Sequence, residues 1–357
     1  MLYGFPAVTA PHPQNPAQIP RARTPCSVRI GATAITQEGF PLVDFHIRQA
    51  QLDDAAAISE LARSRVGVWQ RMTGGQVETV TYDALSIYER WLHGGPWMSV
   101  ETGALQLSHL LRGAGQAVVA QRDGRVVGYA ESYTGTEPQP YGHHEHLGLL
   151  AAYTDEPGAD DALFGWLLDG ARGRGLRRFT ANCPTSDEHT THFYQRHGLH
   201  QIAEVRRMVI STKSGQVFYR AVPHDDDTAE QVNGWFLQIG RAGGARYQWE
   251  ALWPRTWDAI PEIHNRKTHR LSLNAAGNEA YVLIQQQLYR PRIADVYCWT
   301  PRPPSGQLIT AIRDWADKEG YRKLVMLTVT DALKTLGMDA EPDGYREHIY
   351  ALDLQGD

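Results

Sequence analysis

Histidines and carboxylates crowd into two short stretches of this 357-residue chain. In His143-His144-Glu145-His146, the side chains at 144 and 146 share one face of any strand, a pattern that could hold a metal ion. His189 and His192, one helical turn apart beside Glu188, form a second pair. Neither reproduces His-Glu-x-x-His, whose histidines are four apart, so no metal is assigned. Anion binding is the next chemistry to weigh. Arg172-Gly173-Arg174-Gly175-Leu176 reads like a phosphate cradle, but it follows a helix and precedes a strand, so its amides do not open a helix. It is expected to be a solvated, basic helix C-terminus favoured by the macrodipole. Pro301-Arg302-Pro303-Pro304-Ser305-Gly306 does precede a helix, yet Pro303 and Pro304 lack donor amides, and a stiff turn is the simpler expectation.

The elements that would position these residues follow from pattern and punctuation. Phe45–Arg48 alternates as a short strand, and Asp53 or Asp54 can cap a helix running to about Val68. Further helices are expected at Tyr82–His93 and Ala104–Leu111. Ala117–Ala120 and Arg125–Ala130 flank Arg122-Asp123-Gly124, a tight-turn signal for a hairpin. A strand at Leu147–Tyr153 leads through Thr154–Gly158 into a helix over Asp160–Arg172, with Leu163, Trp166, Leu167 and Gly170 as its packing face. Strand Arg178–Cys183, helix Asp187–His197 and paired strands near Gln201–Ser211 and Val217–Val222 complete the first half.

The order then repeats. Asp225, Asp226 or Asp227 is expected to cap a helix through Ile239, and Trp249–Ile263 to supply another. Strands His269–Asn274 and Glu279–Tyr289 flank Gly277-Asn278. Strand Ile293–Trp299, helix Gln307–Lys318 and strands Lys323–Val329 and Tyr345–Leu354 follow. Trp235, Trp249, Trp253, Trp257, Trp299 and Trp315 are expected in the core and between the halves, and Arg255, Arg266, Lys267 and Arg270 on a solvated face. Before all this, Pro6, Pro11, Pro13, Pro16, Pro20 and Pro25 make residues 1–44 an arm. The division read from the sequence is arm 1–44, first domain 45–212 and second domain 213–357.

Composition bounds the function. Hydrophobic residues at 42% can fill a core for each of two domains, and a net charge of −5 gives no global reason to expect nucleic acid. The three cysteines, Cys26, Cys183 and Cys298, lack disulfide or zinc spacing. No apolar run approaches the roughly 20 residues that cross a bilayer. The expectation is a cytoplasmic protein with no membrane partner.

The hairpin Ala117–Ala130, the strand-loop-helix Leu147–Arg172, Arg177-Arg178-Phe179 and Phe193-Tyr194-Gln195-Arg196-His197-Gly198-Leu199 together resemble the GCN5-related N-acetyltransferase (GNAT) superfamily. The last run is similar to its Phe-Tyr-x-x-x-Gly-Phe pattern, with Leu199 at the final position. The repeated order resembles tandem members such as mycothiol synthase-like acetyltransferases. The resemblance implies an α/β fold with a mixed, splayed sheet in two tandem domains, the second degenerate. It also implies acyl transfer from acetyl-CoA or another acyl-CoA to a small-molecule amine, without a metal.

In such a protein the donor pyrophosphate sits on amides opening a helix, where unpaired N–H groups and a partial positive charge favour it. The matching residues are Leu150, Gly158, Ala159 and Asp160. Asp155 stands where the family has a basic residue, and with Glu156 and Asp160 three carboxylates are expected to face the phosphate. Like charges about 4 Å apart repel by about 4 kcal/mol at an effective dielectric of 20. Amine acylation also needs a base and an acid. Tyr194 is the acid by motif position, and Glu145 or His146, just ahead of the acceptor-lining strand, the base. Two rivals remain: the same fold running a lyase or cyclisation reaction, and a non-catalytic binding module.

Overall fold

The computed structural model describes residues 45–287 and 289–354, so the proline-rich arm and Cys26 lie outside the described residues. The first half begins with β1 (His46–Gln49) and α1 (Ala55–Ser64). Arg48 holds Asp54 through two bonds of 2.8 Å, and Asp54 accepts the Gln51 amide at 2.7 Å, which fixes the corner between them. A hairpin absent from the sequence expectations follows, β2 (Gln70–Thr73) and β3 (Gln76–Thr79), turning on Gly74 and Gly75 at positive φ. It stands apart from the main sheet, so its side chains are too polar to show a buried period.

The helix expected over Tyr82–His93 is divided. Leu85 and Ser86 are extended, and Ser86 caps a short α2 (Ile87–Trp91) in a capping box with Glu89. Then come α3 (Val100–His109), β4 (Gln116–Arg122), β5 (Arg125–Glu137), β6 (Gly142–Ala152), α4 (Ala159–Gly173), β7 (Arg178–Pro184), α5 (Glu188–Arg196) and β8 (His200–Ser211). Leu163, Phe164, Leu167 and Ala171 form the buried face of α4, whereas Trp166 is exposed, against expectation.

The second half holds β9 (Tyr219–Pro223), β10 (Phe236–Ile239), α6 (Ala245–Leu252), α7 (Pro261–His264), β11 (Thr268–Ala275), β12 (Asn278–Gln287), β13 (Arg290–Thr300), α8 (Gly306–Lys318), β14 (Lys323–Val329), α9 (Leu333–Leu336) and β15 (Glu341–Asp353). The helix expected from Asp225–Asp227 through Ile239 is a correction. Only a 3-10 turn forms at Ala229–Val232, Gly234 takes positive φ, and Phe236–Ile239 is a strand. The expected helix over Trp249–Ile263 ends at Leu252, because Pro254 cannot continue it.

One 13-stranded sheet carries both halves, in the order β1-β4-β5-β6-β7-β15-β8-β14-β10-β13-β12-β11-β9. β8 and β9, expected to pair, lie far apart in it. β15 instead enters the first half between β7 and β8, pairing Asp353 with Arg178 and Glu347 with Pro184, while β8 pairs with β14 from Ser211 to Val205. The halves are also joined by a buried ion pair, Arg241 Nη1 to Glu137 Oε2 at 2.6 Å, with Ala245 N donating to Glu137 at 2.9 Å.

Removing one partner of such a pair strands the other charge in the interior. Glu137→Gln is expected to cost about 3–5 kcal/mol, read as a lower midpoint in urea unfolding.

Candidate functional site

A cleft forms where two parallel strands part. β6 and β7 are paired only from His144–Leu147 to Arg178–Ala181; beyond that, β6 stays with β5 while β7 follows β15. A register slip in β5 between Glu131 and Ser132 marks the departure. Leu147 packs with α4, whereas Leu149, two residues on, packs on the α1 and α3 side, so the strand has rotated. Gly148 is required at that point, since a Cβ there would lie 2.7 Å from the Tyr133 ring. The opening has a volume of about 760 Å³.

One end of the cleft meets the start of α4. Gly158 is the N-cap at φ +88°, between β6 and α4. Leu150 and Asp160 line the cleft, while Ala159 is fully buried and its amide bonds Glu156 O at 3.2 Å. The expectation of three carboxylates facing a phosphate needs correction. Glu156 is buried and paired with Arg122 at 2.5 Å, and Arg125 stacks 4.7 Å over Tyr153. The two arginines flanking the Asp123-Gly124 turn thus supply positive charge that the loop lacks. Asp160 retains an opposing role, since its Oδ1 accepts the Asp161 amide at 3.0 Å and occupies a helix-opening donor.

At the apex, the sequence candidates separate. Glu145 and His146 lie inside β6, which starts at Gly142 rather than Leu147, and alternation sends them to opposite faces. Glu145 is fully buried, accepts from Ser132 at 2.5 Å and Thr134 at 2.6 Å, and pairs with Arg174 at 3.1 Å. It does not line the cleft, and its bonds are spent on structure, so the base assignment is withdrawn from it. The same pair accounts for Arg174 in the basic helix end.

His146 lines the cleft, 2% exposed, with Nδ1 3.1 Å from Thr180 Oγ1 and its ring against Tyr247. Gly243 and Gly244, from the second half, fit against it; a Cβ on Gly243 would lie 3.0 Å from Nε2. Burial first, then His144 and Arg241, hold its pKa well below the ordinary value, so the imidazole is neutral. Tyr194 lines the cleft from α5, its ring packed on Tyr350. Burial, with Cys183, Asp187 and Tyr350 nearby, pushes its phenol well above the usual value, and it stays protonated.

Sequence reasoning missed Asn182, Tyr345 and Glu347, all lining the cleft. Tyr345 and Glu347 arrive on β15, from the far end of the chain, and nothing local connects them to residues near 146. Asn182 sits inside a strand that was recognised, but only the splay shows that its side chain faces a cavity.

The second half has the corresponding strands but no comparable opening. β13 and β14 pair in parallel over Ile293–Asp295 and Lys323–Val325, and β10 then enters between them, pairing Ile239 with both Cys298 and Thr328. Gly240 follows at φ +83°, where a Cβ would lie 2.5 Å from Tyr297 Cα. About 20 Å³ of space remains beside it. Ser305 caps α8 by accepting the Leu308 amide at 3.2 Å. Among the described residues there is no cluster of three metal-ligating side chains and no helix long and apolar enough to cross a membrane.

Residues 79–199 match the acetyltransferase (GNAT) family. Among solved structures, a GCN5-related N-acetyltransferase from Anabaena variabilis is similar at 10% identity and TM-score 0.56, covering 87% of this chain and 73% of that one. A conserved protein from Enterococcus faecalis, described as a probable N-acyltransferase, is similar at 11% identity and TM-score 0.52, again over 87% and 73%. No curated protein matches the chain significantly in sequence.

The neutral imidazole has a measurable signature. Side-chain NMR should show no titration of His146 between pH 8 and pH 6, where exposed histidines titrate. As pH falls below about 6.5 the unfolded chain gains a proton there that the folded one does not. Stability should therefore fall on acidification, by at most about 1.4 kcal/mol per pH unit from this residue, until its folded pKa is reached.

Proposed function

We propose, for a chain whose residues 79–199 belong to the GNAT acetyltransferase family, that the first-half cleft transfers an acetyl or related acyl group from acyl-CoA to the amine of a small molecule. The observation that carries this reading is the contrast between the open β6–β7 splay and the second splay, filled by β10. The active copy is accordingly the first domain, with the chain divided near residue 212 and β15 returning across that division. The setting is taken as cytoplasmic, in keeping with free, buried Cys183 and Cys298.

An acyl-CoA thioester supplies an activated carbonyl and a thiolate leaving group. The chain's own residues supply the proton traffic. His146, neutral and facing the acceptor side, takes the amine proton at Nε2 if Nδ1–H donates to Thr180. Tyr194, protonated on the α5 side, holds the proton taken up by the departing thiolate. Leu150 and the Gly158 turn line the donor channel, with Arg122 and Arg125 offsetting the acidic loop and Asp160 opposing it.

Calorimetry with acetyl-CoA at low salt should show saturable binding, and Asp160→Ala should tighten it by roughly tenfold, since a charge is removed and a helix amide freed. Absence of binding by both proteins would reject the CoA donor and favour the second reading, a thioester-independent reaction in the same cleft, which the acidic loop motivates. Tyr194→Phe should leave acetyl-CoA affinity unchanged and lower turnover by about 100-fold or more.

A further inference from the structure

Glu347 is a buried carboxylate without a cation. It is 1% exposed and lines the first cleft. Tyr345 Oη donates to its Oε1 at 2.6 Å and Asn182 Nδ2 to its Oε2 at 3.0 Å. Both donors are neutral, and no described lysine, arginine or histidine lies within ion-pair distance. Arg207, the nearest cation acting on it, pairs with Asp343 and stacks over Tyr345. The adjoining Asn182 Oδ1 is buried and accepts no hydrogen bond from any described residue. Two acceptor groups thus sit side by side in a cavity, held in place from behind and lacking a donor. A buried charge in this state is costly unless a partner closes the pair.

We propose that Glu347, carried into the first cleft by β15, selects a positively charged acceptor by closing an ion pair with its primary ammonium group beside Asn182 Oδ1. The assignment rests on the acyltransferase reading only for what becomes of that amine afterwards. It explains why neutral donors orient both carboxylate oxygens, and why burial raises the Glu347 pKa while the cation is missing. A neutral or anionic acceptor would leave the same oxygens unsatisfied.

The groups facing Glu347 are Tyr345 on β15, Asn182 and Cys183 on β7 and Arg207 on β8, with Asp187 and His189 at the start of α5 lining the same cleft. Carbon-13 NMR of the full chain labelled at glutamate carboxyls reads the residue directly, its signal being identified by loss in Glu347→Gln. Saturating butylammonium should lower the Glu347 titration midpoint by one pH unit or more, equivalent to about tenfold tighter binding to the ionised form; butanol should not. Equal effects of the two, no effect of butylammonium, or unchanged butylammonium binding by Glu347→Gln would overturn the proposal. If Glu347→Gln does not fold, Tyr345→Phe provides the second variant. It should raise the midpoint while retaining the butylammonium response, and loss of that response would count against the proposal. Acetyl-CoA calorimetry is run separately. Failed acetyl-CoA binding with the carboxylate response intact rejects the acyltransferase reading alone.

Discussion

The ladder between β15 and β7 is the constraint on which the rest depends. Seven residue pairs, from Glu347–Pro184 to Asp353–Arg178, draw β7 away from β6 and toward the returning strand. Because a strand has only two edges, β7 cannot follow both neighbours once they diverge, and the space left between β6 and β7 is the cleft. The same ladder sets Tyr345 and Glu347 into the wall of that cleft. Shape and chemistry of the site therefore have a common origin in a non-local pairing, with the Arg241–Glu137 ion pair securing the opposite wall.

The two halves show how one architecture is made open in one place and closed in another. Both contain parallel strands that begin paired and then part. In the first half Gly148 lets β6 rotate against Tyr133, and the gap stays free. In the second, Phe236–Ile239 enters the gap as a strand and Gly240 turns the chain sharply around Tyr297. The inserted segment then continues through Arg241 and Gly243 to the first site. Filling one cleft and walling the other are consecutive acts of a single stretch of chain.

Much of the fold was legible in local pattern. The Asp123-Gly124 hairpin, the Gly158 turn into α4, the α5 motif and the Gly277 turn each carry their own signal, because turn chemistry and helix periodicity are properties of neighbouring residues. What was not legible was non-local. Residues 225–239 carry cap residues that suggest a helix, but Gly234 and two waiting strand edges favour a short strand. Glu145 and His146 looked interchangeable as bases until the extent of β6 put them on opposite faces. Asp155, Glu156 and Asp160 read as a common repulsion, whereas Arg122, over thirty positions away in sequence, neutralises one of them.

The position of β15 bears on how the molecule comes into being. Translation delivers β1 through β8 first, then every other strand of the second half, and only afterwards the strand that belongs beside β7. Until then the adjoining edges of β7 and β8 lack their native neighbour, and such edges invite pairing with other chains. The nascent first domain must wait for its last component, so chaperone protection during that interval is a built-in need of this topology.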